Sequence, residues 1–490
     1  MCSSKSTTSS RFIGVSDFGR PRSFSWSNQA RIIDMPDINQ LRNRMDEITI
    51  EMIKMLKTRT DIAKEIGEIK KNIGKGVTDE TREDNLRAKV ITLCNELNFD
   101  ESIATKFLNF LLNESIKVQS ESKQTHLSIF LKAKTMEQEG KKIIHMEVGE
   151  PDFLPPQIVR KALEEVFDKG FLKYGQARGL TSFREALAKY ASKKFSANVS
   201  QDNIIVSPGA RFSIFAVITT LLNPGDELIV IEPAWPAYKE CALRAGIKVR
   251  TITTTLEERW EPTIEQIEKV INANTKMIVL NYPNNPTGKI LPEKLQDKIV
   301  NIAIKNNLYI LSDEIYSQYA FKKWKSILCY NYDKSIITQS FSKSHAMTGF
   351  RIGYAIASPK IIDILSKLEA LCLTNVSEPI QYIAMKALEA DISNNTNTVQ
   401  TRLKVLTEKA KEMNLDFVAP DGAMYLFARV NQEEFNGVQF ANNLLEKGLA
   451  VAPGEGFGEY KNFIRISACQ DEKTLMEGMN ILGNMMRDKQ

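Results

Sequence analysis

The chain has 490 residues, and 65 Lys and Arg against 60 Asp and Glu give a formal net charge of +5; the basic residues are dispersed, without interleaved aromatics, and make no case for nucleic acid. No run approaches the ~18 uninterrupted apolar residues that a membrane span requires, and the length suits several units rather than one. Six cysteines (Cys2, Cys94, Cys241, Cys329, Cys372, Cys469) at no paired spacing, with three histidines, argue against a disulfide framework or a bound metal and for reduced thiols in the cytoplasm.

Residues 1–34 are rich in Ser and Arg, poor in acids, and precede Met35. They read as a disordered tail or a start assigned too early. An organelle transit peptide has a similar composition, but no amphipathic periodicity stands out here. From Ile38 the apolar residues fall at Ile38, Leu41, Met45, Ile48, Met52 and Met55, then Ile62, Ile66 and Ile69. This three-four alternation predicts a helix over about Asp37 to Asn72, roughly 50 Å long at ~1.5 Å per residue. A seam of that length cannot be buried within one small module, so an intertwined partner is expected. The alternation asks for an apolar residue at 59, where the chain has Arg59; a charge in the seam is costly unless an anion meets it. Lys70 lies three turns further along roughly the same side. Asp79, Arg82 and Glu83 open a second helix after the turn at Gly74 to Gly76. In a third helix the stripe Phe107, Leu108, Leu111 leads into Ser115 and Gln119, polar where apolar residues would otherwise continue. Basic groups, a few carboxylates and two neutral hydrogen bonders inside a helical bundle point to a small dianionic substrate.

Over about Ile38 to Gln119 these residues resemble the all-α chorismate mutases, and every position of that family's site finds a match. The resemblance implies that Arg42 reaches one substrate carboxylate from the partner subunit while Arg59 holds the other. Lys70 and Gln119 would bond the ether oxygen, Glu83 and Asp79 would take the ring hydroxyl region, and Arg82 and Ser115 would complete the pocket. A dimerisation hairpin with solvated charges explains the seam, but not Arg59, Ser115 and Gln119 together.

A Ser- and Lys-containing linker near Val118 to Gln124 ends this module. Beyond it, strand-like runs near Ile204, Glu227, Met277, Tyr309, Ile336 and Gly353 alternate with helical stretches and predict a mostly parallel sheet. Asn281-Tyr-Pro-Asn-Asn-Pro-Thr-Gly288 follows the run Met277 to Leu280, and Ser312-Asp-Glu-Ile-Tyr316 follows Leu308 to Leu311. Both sit where a strand runs out, the edge at which ligands collect in open α/β sheets. An aspartate there can pair with a protonated ring nitrogen. Lys343 stands in Ser340-Phe-Ser-Lys-Ser-His-Ala-Met-Thr-Gly-Phe-Arg351, between the runs Ile336–Ile337 and Ile352–Ala357. Small hydroxyl residues and an arginine around one lysine suit a Schiff base with an aldehyde cofactor whose phosphate the neighbours hold.

From roughly Gln124 to the C-terminus these motifs look like the class I aminotransferases of the fold-type I pyridoxal phosphate enzymes. The resemblance implies that Lys343 is the Schiff-base lysine and proton shuttle, that Asp313 pairs with the pyridine nitrogen, and that Asn285 and Tyr316 bond the ring's 3′ oxygen. Trp235 would stack on the ring. Ser340, Arg351 and the backbone of Gly209, Ala210 and Arg211 would hold the phosphate, the last three at a helix N-terminus. Tyr174 matches a tyrosine that reaches the phosphate of the neighbouring subunit. Arg465, in Phe463-Ile-Arg-Ile-Ser467, would clamp the substrate α-carboxylate, and the backbone at Gly149 would close over the same group. Singly, Arg465 could be an ion-pair partner, Trp235 core, and the Asn-Pro-Thr-Gly segment a turn.

The expected organisation is a tail (1–34), an all-α three-helix mutase module forming an intertwined dimer (35–122), and an α/β fold-type I transferase (123–490). The last divides into a large domain (about 160–375) and a small domain (about 123–159 and 376–490). A mutase yields prephenate, a 2-oxo acid with a second carboxylate, so the fused transferase would take prephenate to arogenate with glutamate or aspartate as donor. Action on phenylpyruvate or 4-hydroxyphenylpyruvate, or as an aspartate aminotransferase, stays open. Relatives accepting dicarboxylic substrates carry a lysine at the position matching Arg211, which leans towards prephenate; Arg178 is a second candidate for the distal carboxylate. Two other readings stand: a non-catalytic helical module that senses a ligand and regulates the transferase, and elimination or racemisation on the same fold.

Overall fold

The computed structural model describes residues 37–72, 80–120, 126–432 and 435–487. The chain divides into two compact units, up to Ile62 and from Ala63 onward. The described part of the first is the greater part of helix α1 (Ile38–Asn72), which starts and ends where the three-four alternation places it. Its seam is open: Leu41, Ile48 and Met52 are exposed, and Met45 and Met55 are 67% and 65% exposed. The tail, Asp79 and the turn before it lie outside the described residues.

The second unit contains α2 (Glu80–Leu97) and α3 (Glu101–Ser120), an antiparallel hairpin. Asn98 takes a left-handed φ of 50°, which closes α2, and Asp100 caps α3 by accepting from the Ser102 amide at 2.7 Å. Cys94, Leu108 and Leu112 are buried, and Arg87 Nη1 donates to Asn109 Oδ1 at 2.5 Å across the pair.

The rest of the second unit opens with α4 (His126–Gln138) and β1 (Ile144–His145). It continues through α5 (Gln157–Lys169), α6 (Thr181–Phe195), β2 (Ile204–Ser207), α7 (Ala210–Leu221), β3 (Glu227–Glu232), α8 (Ala237–Arg244) and β4 (Lys248–Thr253). Then come α9 (Ile264–Val270), β5 (Thr275–Asn281), α10 (Glu293–Lys305), β6 (Tyr309–Asp313), β7 (Ser335–Ser340), β8 (Gly353–Ile356) and α11 (Pro359–Leu373). The large sheet has seven strands in the order β2-β8-β7-β6-β5-β3-β4. The β4, β3, β5, β6 and β7 strands run parallel, as their buried apolar runs predict. Only β8 is reversed, pairing antiparallel with both β7 and β2. The short segment between Ser340 and Gly353 carries no crossover helix, so the chain returns beside the strand it left. The helical hairpin touches the sheet's β4 edge, where Lys248 Nζ lies 2.7 Å from Asp84 Oδ1. Asn113 Nδ2 also donates to the Leu243 carbonyl at the end of α8 (3.3 Å).

The remaining elements are α12 (Glu378–Ala387), α13 (Ser393–Glu412), β9 (Asp416–Phe417), β10 (Tyr425–Arg429), α14 (Gly437–Glu446), β11 (Leu449–Ala450), β12 (Ala452–Pro453), β13 (Phe463–Ser467) and α15 (Glu472–Arg487). A four-stranded sheet orders them β12-β13-β10-β9, and β1 pairs parallel with β11. Their core joins Ile129 and Met146 to Leu403, Leu444, Ile464 and Leu482, so residues from both ends of this part of the chain share one hydrophobic core. Tyr382, Ile383 and Ala384 of α12 pack instead with Val159 and Phe183 on the large sheet's side, and the first core resumes on α13. No helix among the described residues is long and apolar enough to cross a membrane.

Candidate active site

The carboxyl ends of the parallel strands open onto a cavity of about 350 Å³. At the end of β5, Asn281 links two neighbours: its Nδ2 donates to the Asp313 carbonyl (2.9 Å) and its Oδ1 accepts from the Asn285 amide (3.0 Å). Asp313, the last residue of β6, is buried and accepts from Tyr238 Oη at 2.5 Å and Thr338 Oγ1 at 3.1 Å. Burial pushes its carboxyl up to about 6, against the pull of those donors and of the Lys343 charge. Lys343 follows β7 and donates from Nζ to the Gly149 carbonyl; burial holds its amine below the ordinary lysine range.

Beside these groups lies an anion cradle. Gly209 precedes α7 with a φ of 84°, and no side chain caps the helix, so the first turn's backbone lines the cavity. A Cβ on Gly209 would stand 3.0 Å from Arg351 Nη2. The guanidinium of Arg351 is steadied by its Nη1 donating to the Thr348 carbonyl at 2.8 Å. Ser340 Oγ donates to Ser342 Oγ at 2.9 Å and reaches the same cavity wall.

Arg465, from β13, is buried over the rings of Tyr425 (4.4 Å to centroid) and Phe457 (4.8 Å). Its Nη1 donates to Asn285 Oδ1 at 2.8 Å and its Nη2 to the Glu147 carbonyl. Tyr316 and Tyr425 share a hydroxyl–hydroxyl hydrogen bond of 2.7 Å. Gly149 is required by crowding: a Cβ there would fall 1.8 Å from Tyr425 Oη. Trp235 meets Tyr238 edge-on at 5.4 Å, and the Arg211 guanidinium lies 4.8 Å from the Trp235 centroid. An amine, a buried acid, ring-oxygen donors and a glycine-floored anion cradle in one cavity fit pyridoxal phosphate.

The structure therefore brings Lys343, Asp313, Tyr316, Asn285, Trp235, Ser340, Arg351, Gly209, Ala210, Gly149, Arg465 and Arg211 to one cavity. Tyr174 does not line it and is 89% exposed. Arg178 is turned away from the cavity and pairs with Asp363 of α11. Tyr425, Tyr238 and Thr338 were missed by the sequence reading. Tyr238, one helical turn after Trp235, was the one with a positional signal.

In the helical module, Arg42 and Arg59 stand on α1 within the first unit; Arg42 is exposed and Arg59 half-buried. Lys70, Arg82, Glu83, Ser115 and Gln119 belong to the second unit. Ser115 Oγ donates to the Leu111 carbonyl at 2.9 Å, the usual back-bond of a helical serine.

Residues 141–482 match the family described as aminotransferase class I and II, and residues 41–120 match chorismate mutase type II. The aspartate aminotransferase of Thermotoga maritima is 34% identical over 362 residues, covering 73% of this chain and 95% of that protein. The aspartate/prephenate aminotransferase of Thermus thermophilus is 29% identical over 372 residues, covering 74% and 96%. The crystal structure of the Thermotoga maritima enzyme superposes with a TM-score of 0.71, covering 75% of this chain and 98% of that one. The Thermus thermophilus aspartate aminotransferase with maleate gives 0.71 at 28% identity, covering 74% and 97%. Both family resemblances drawn from the motifs are thereby borne out.

Proposed function

Since the chain belongs to the class I and II aminotransferases and carries a chorismate mutase type II domain ahead of that region, we propose that it is a bifunctional enzyme of aromatic amino-acid biosynthesis. It rearranges chorismate to prephenate and transaminates prephenate to arogenate, with glutamate or aspartate as donor. The observation that carries the second step is a pair of guanidiniums lining one cavity, Arg465 buried between Tyr425 and Phe457 and Arg211 laid over Trp235. A dicarboxylic 2-oxo acid offers one carboxylate to each. Support also comes from the Thermus thermophilus relative named an aspartate/prephenate aminotransferase.

Pyridoxal phosphate, held by Lys343, Asp313, Asn285, Tyr316, Trp235, Ser340, Arg351, Gly209 and Ala210, with Tyr174 reaching the phosphate of a neighbouring subunit, supplies when bound an aldehyde for amino-group exchange and an electron-withdrawing ring. Lys343 Nζ takes the proton from the substrate Cα and holds it for delivery away from that carbon as the amino group is exchanged; burial, which disfavours the charged amine, suits it to act as the base. Asp313, fixed by Tyr238 and Thr338, offers its carboxylate to a protonated ring nitrogen. Arg465 holds the α-carboxylate, with the backbone at Gly149 closing over it.

In the helical domain Arg59, with Arg42 from a partner subunit, holds the two carboxylates of chorismate, and Lys70 and Gln119 meet the ether oxygen. Asp79 and Glu83 face the ring hydroxyl, and Arg82 and Ser115 complete the cage. The rearrangement needs no nucleophile and no proton donor; it needs a rigid cage that selects the reactive conformer and puts positive charge where the breaking ether becomes electron-rich. The exposed seam of α1 supports a homodimer or higher homo-oligomer.

Specificity is tested by kcat/KM for prephenate and for phenylpyruvate in the parent and in Arg211→Gln. Prephenate is expected to be preferred, and the variant to lose about tenfold or more on prephenate alone. Equal loss on both acids would assign Arg211 to the cofactor phosphate instead.

A further inference from the structure

The strand that leads to Gly149 carries a line of ionisable groups that no step above uses. His145, on β1, places Nδ1 2.8 Å from Glu147 Oε1 and Nε2 3.1 Å from Glu137 Oε1 on α4. Glu147 is 0% exposed, and neither its other carboxylate oxygen nor His145 Nε2 has a hydrogen-bond partner, so Glu137 meets the ring by charge alone. The groups that face the imidazole from the packed elements are these two carboxylates and the Phe130 ring at 6.1 Å, with Lys134 meeting Glu137 at 2.8 Å. Gln470 Nε2 holds the His145 carbonyl at 3.3 Å. The same short stretch then delivers two backbone acceptors to the cavity: the Glu147 carbonyl to Arg465 Nη2 and the Gly149 carbonyl to Lys343 Nζ.

We propose that His145, as an imidazolium bridging Glu137 and Glu147, is a positioning residue for Arg465, fixing the segment after β1 whose Glu147 carbonyl orients the guanidinium for a substrate carboxylate. A doubly protonated imidazole donates from Nδ1 to Glu147 and sets its charge 3.1 Å from Glu137, whereas the neutral ring has one donor and no charge to offer either carboxylate. Deprotonation leaves the fully buried Glu147 without its counter-charge, which is costly in a low-dielectric interior. The hydrogen bond to Glu147 raises the His145 pKa against the pull of burial. With the pKa raised above 6.5, the bridge is fully present below 6.5 and is lost as pH rises through the raised value.

This inference rests on the transaminase reading, and the test separates the two. Maleate is titrated calorimetrically into the pyridoxal-phosphate-loaded full chain between about pH 6 and 9, for the parent, Glu147→Gln and His145→Gln. The parent Kd is expected to rise about tenfold more across that range than that of Glu147→Gln, whose neutral amide needs no counter-charge. His145→Gln is expected to bind about tenfold more weakly than the parent at the acid end, and equally at the alkaline end. Identical profiles for the parent and Glu147→Gln would overturn the proposal, and this arm stands even where His145→Gln fails to fold. So would parent-like affinity of His145→Gln at pH 6. Failure of the loaded parent to bind maleate at any pH would overturn the reading of a dicarboxylic substrate held by Arg465, and the proposal with it.

Discussion

Asp313 shows how one side chain ties the site to the stability of the chain. Its buried carboxyl is raised from 3.8 to about 6, so the folded, cofactor-free protein favours the protonated form. That contribution is present below about pH 4 and is lost as pH rises to about 6, worth about 3 kcal/mol at 1.4 kcal/mol per tenfold. Chemical denaturation of the cofactor-free protein should therefore show a fall in stability over that interval that Asp313→Asn lacks. The same residue was legible in the sequence because Ser312-Asp-Glu-Ile-Tyr316 follows an apolar strand. Tyr425 was not, because within Gly422-Ala-Met-Tyr-Leu-Phe427 it reads as one more buried strand residue, and only the fold brings its hydroxyl to Tyr316. Arg178 misled for the complementary reason: its partner, Asp363, is remote in sequence. In the helical domain, Lys70→Ala should lower mutase turnover by roughly two orders of magnitude, since one donor to developing oxygen charge is worth ~3 kcal/mol. Transamination should be unaffected, and an unchanged mutase rate would remove Lys70 from the site.

At the scale of elements, periodicity and punctuation carried the reading furthest where a segment owes its structure to its own residues. Helix α1 is such a case, with neither Pro nor Gly before Gly67. The parallel strands are another, each a short apolar run ending in a polar motif. The reversed direction of β8 depends on the chain finding no crossover helix between Lys343 and Gly353. The placement of α12 depends on which core accepts Tyr382 and Ile383, and neither can be read locally. The open seam of α1 leads to a test of its own. A charge at its most exposed large residue, Met45→Lys, should shift the protein towards smaller species in analytical ultracentrifugation and depress mutase turnover, because the proposed site takes Arg42 from across that interface. A variant that keeps both assembly and turnover would show that the seam is covered in another way.

For the whole molecule, the proposed function would have one chain make a 2-oxo acid and aminate it. The transferase cavity offers two guanidiniums to an acceptor of that kind. The helical hairpin rests on the β4 edge of the transferase sheet through Asp84 and Lys248. The most direct measurement uses purified full-length protein with pyridoxal phosphate, chorismate and either glutamate or aspartate, with products separated by mass. Arogenate is the predicted product. Prephenate that accumulates unaminated, while phenylpyruvate is transaminated in a parallel reaction, would contradict it.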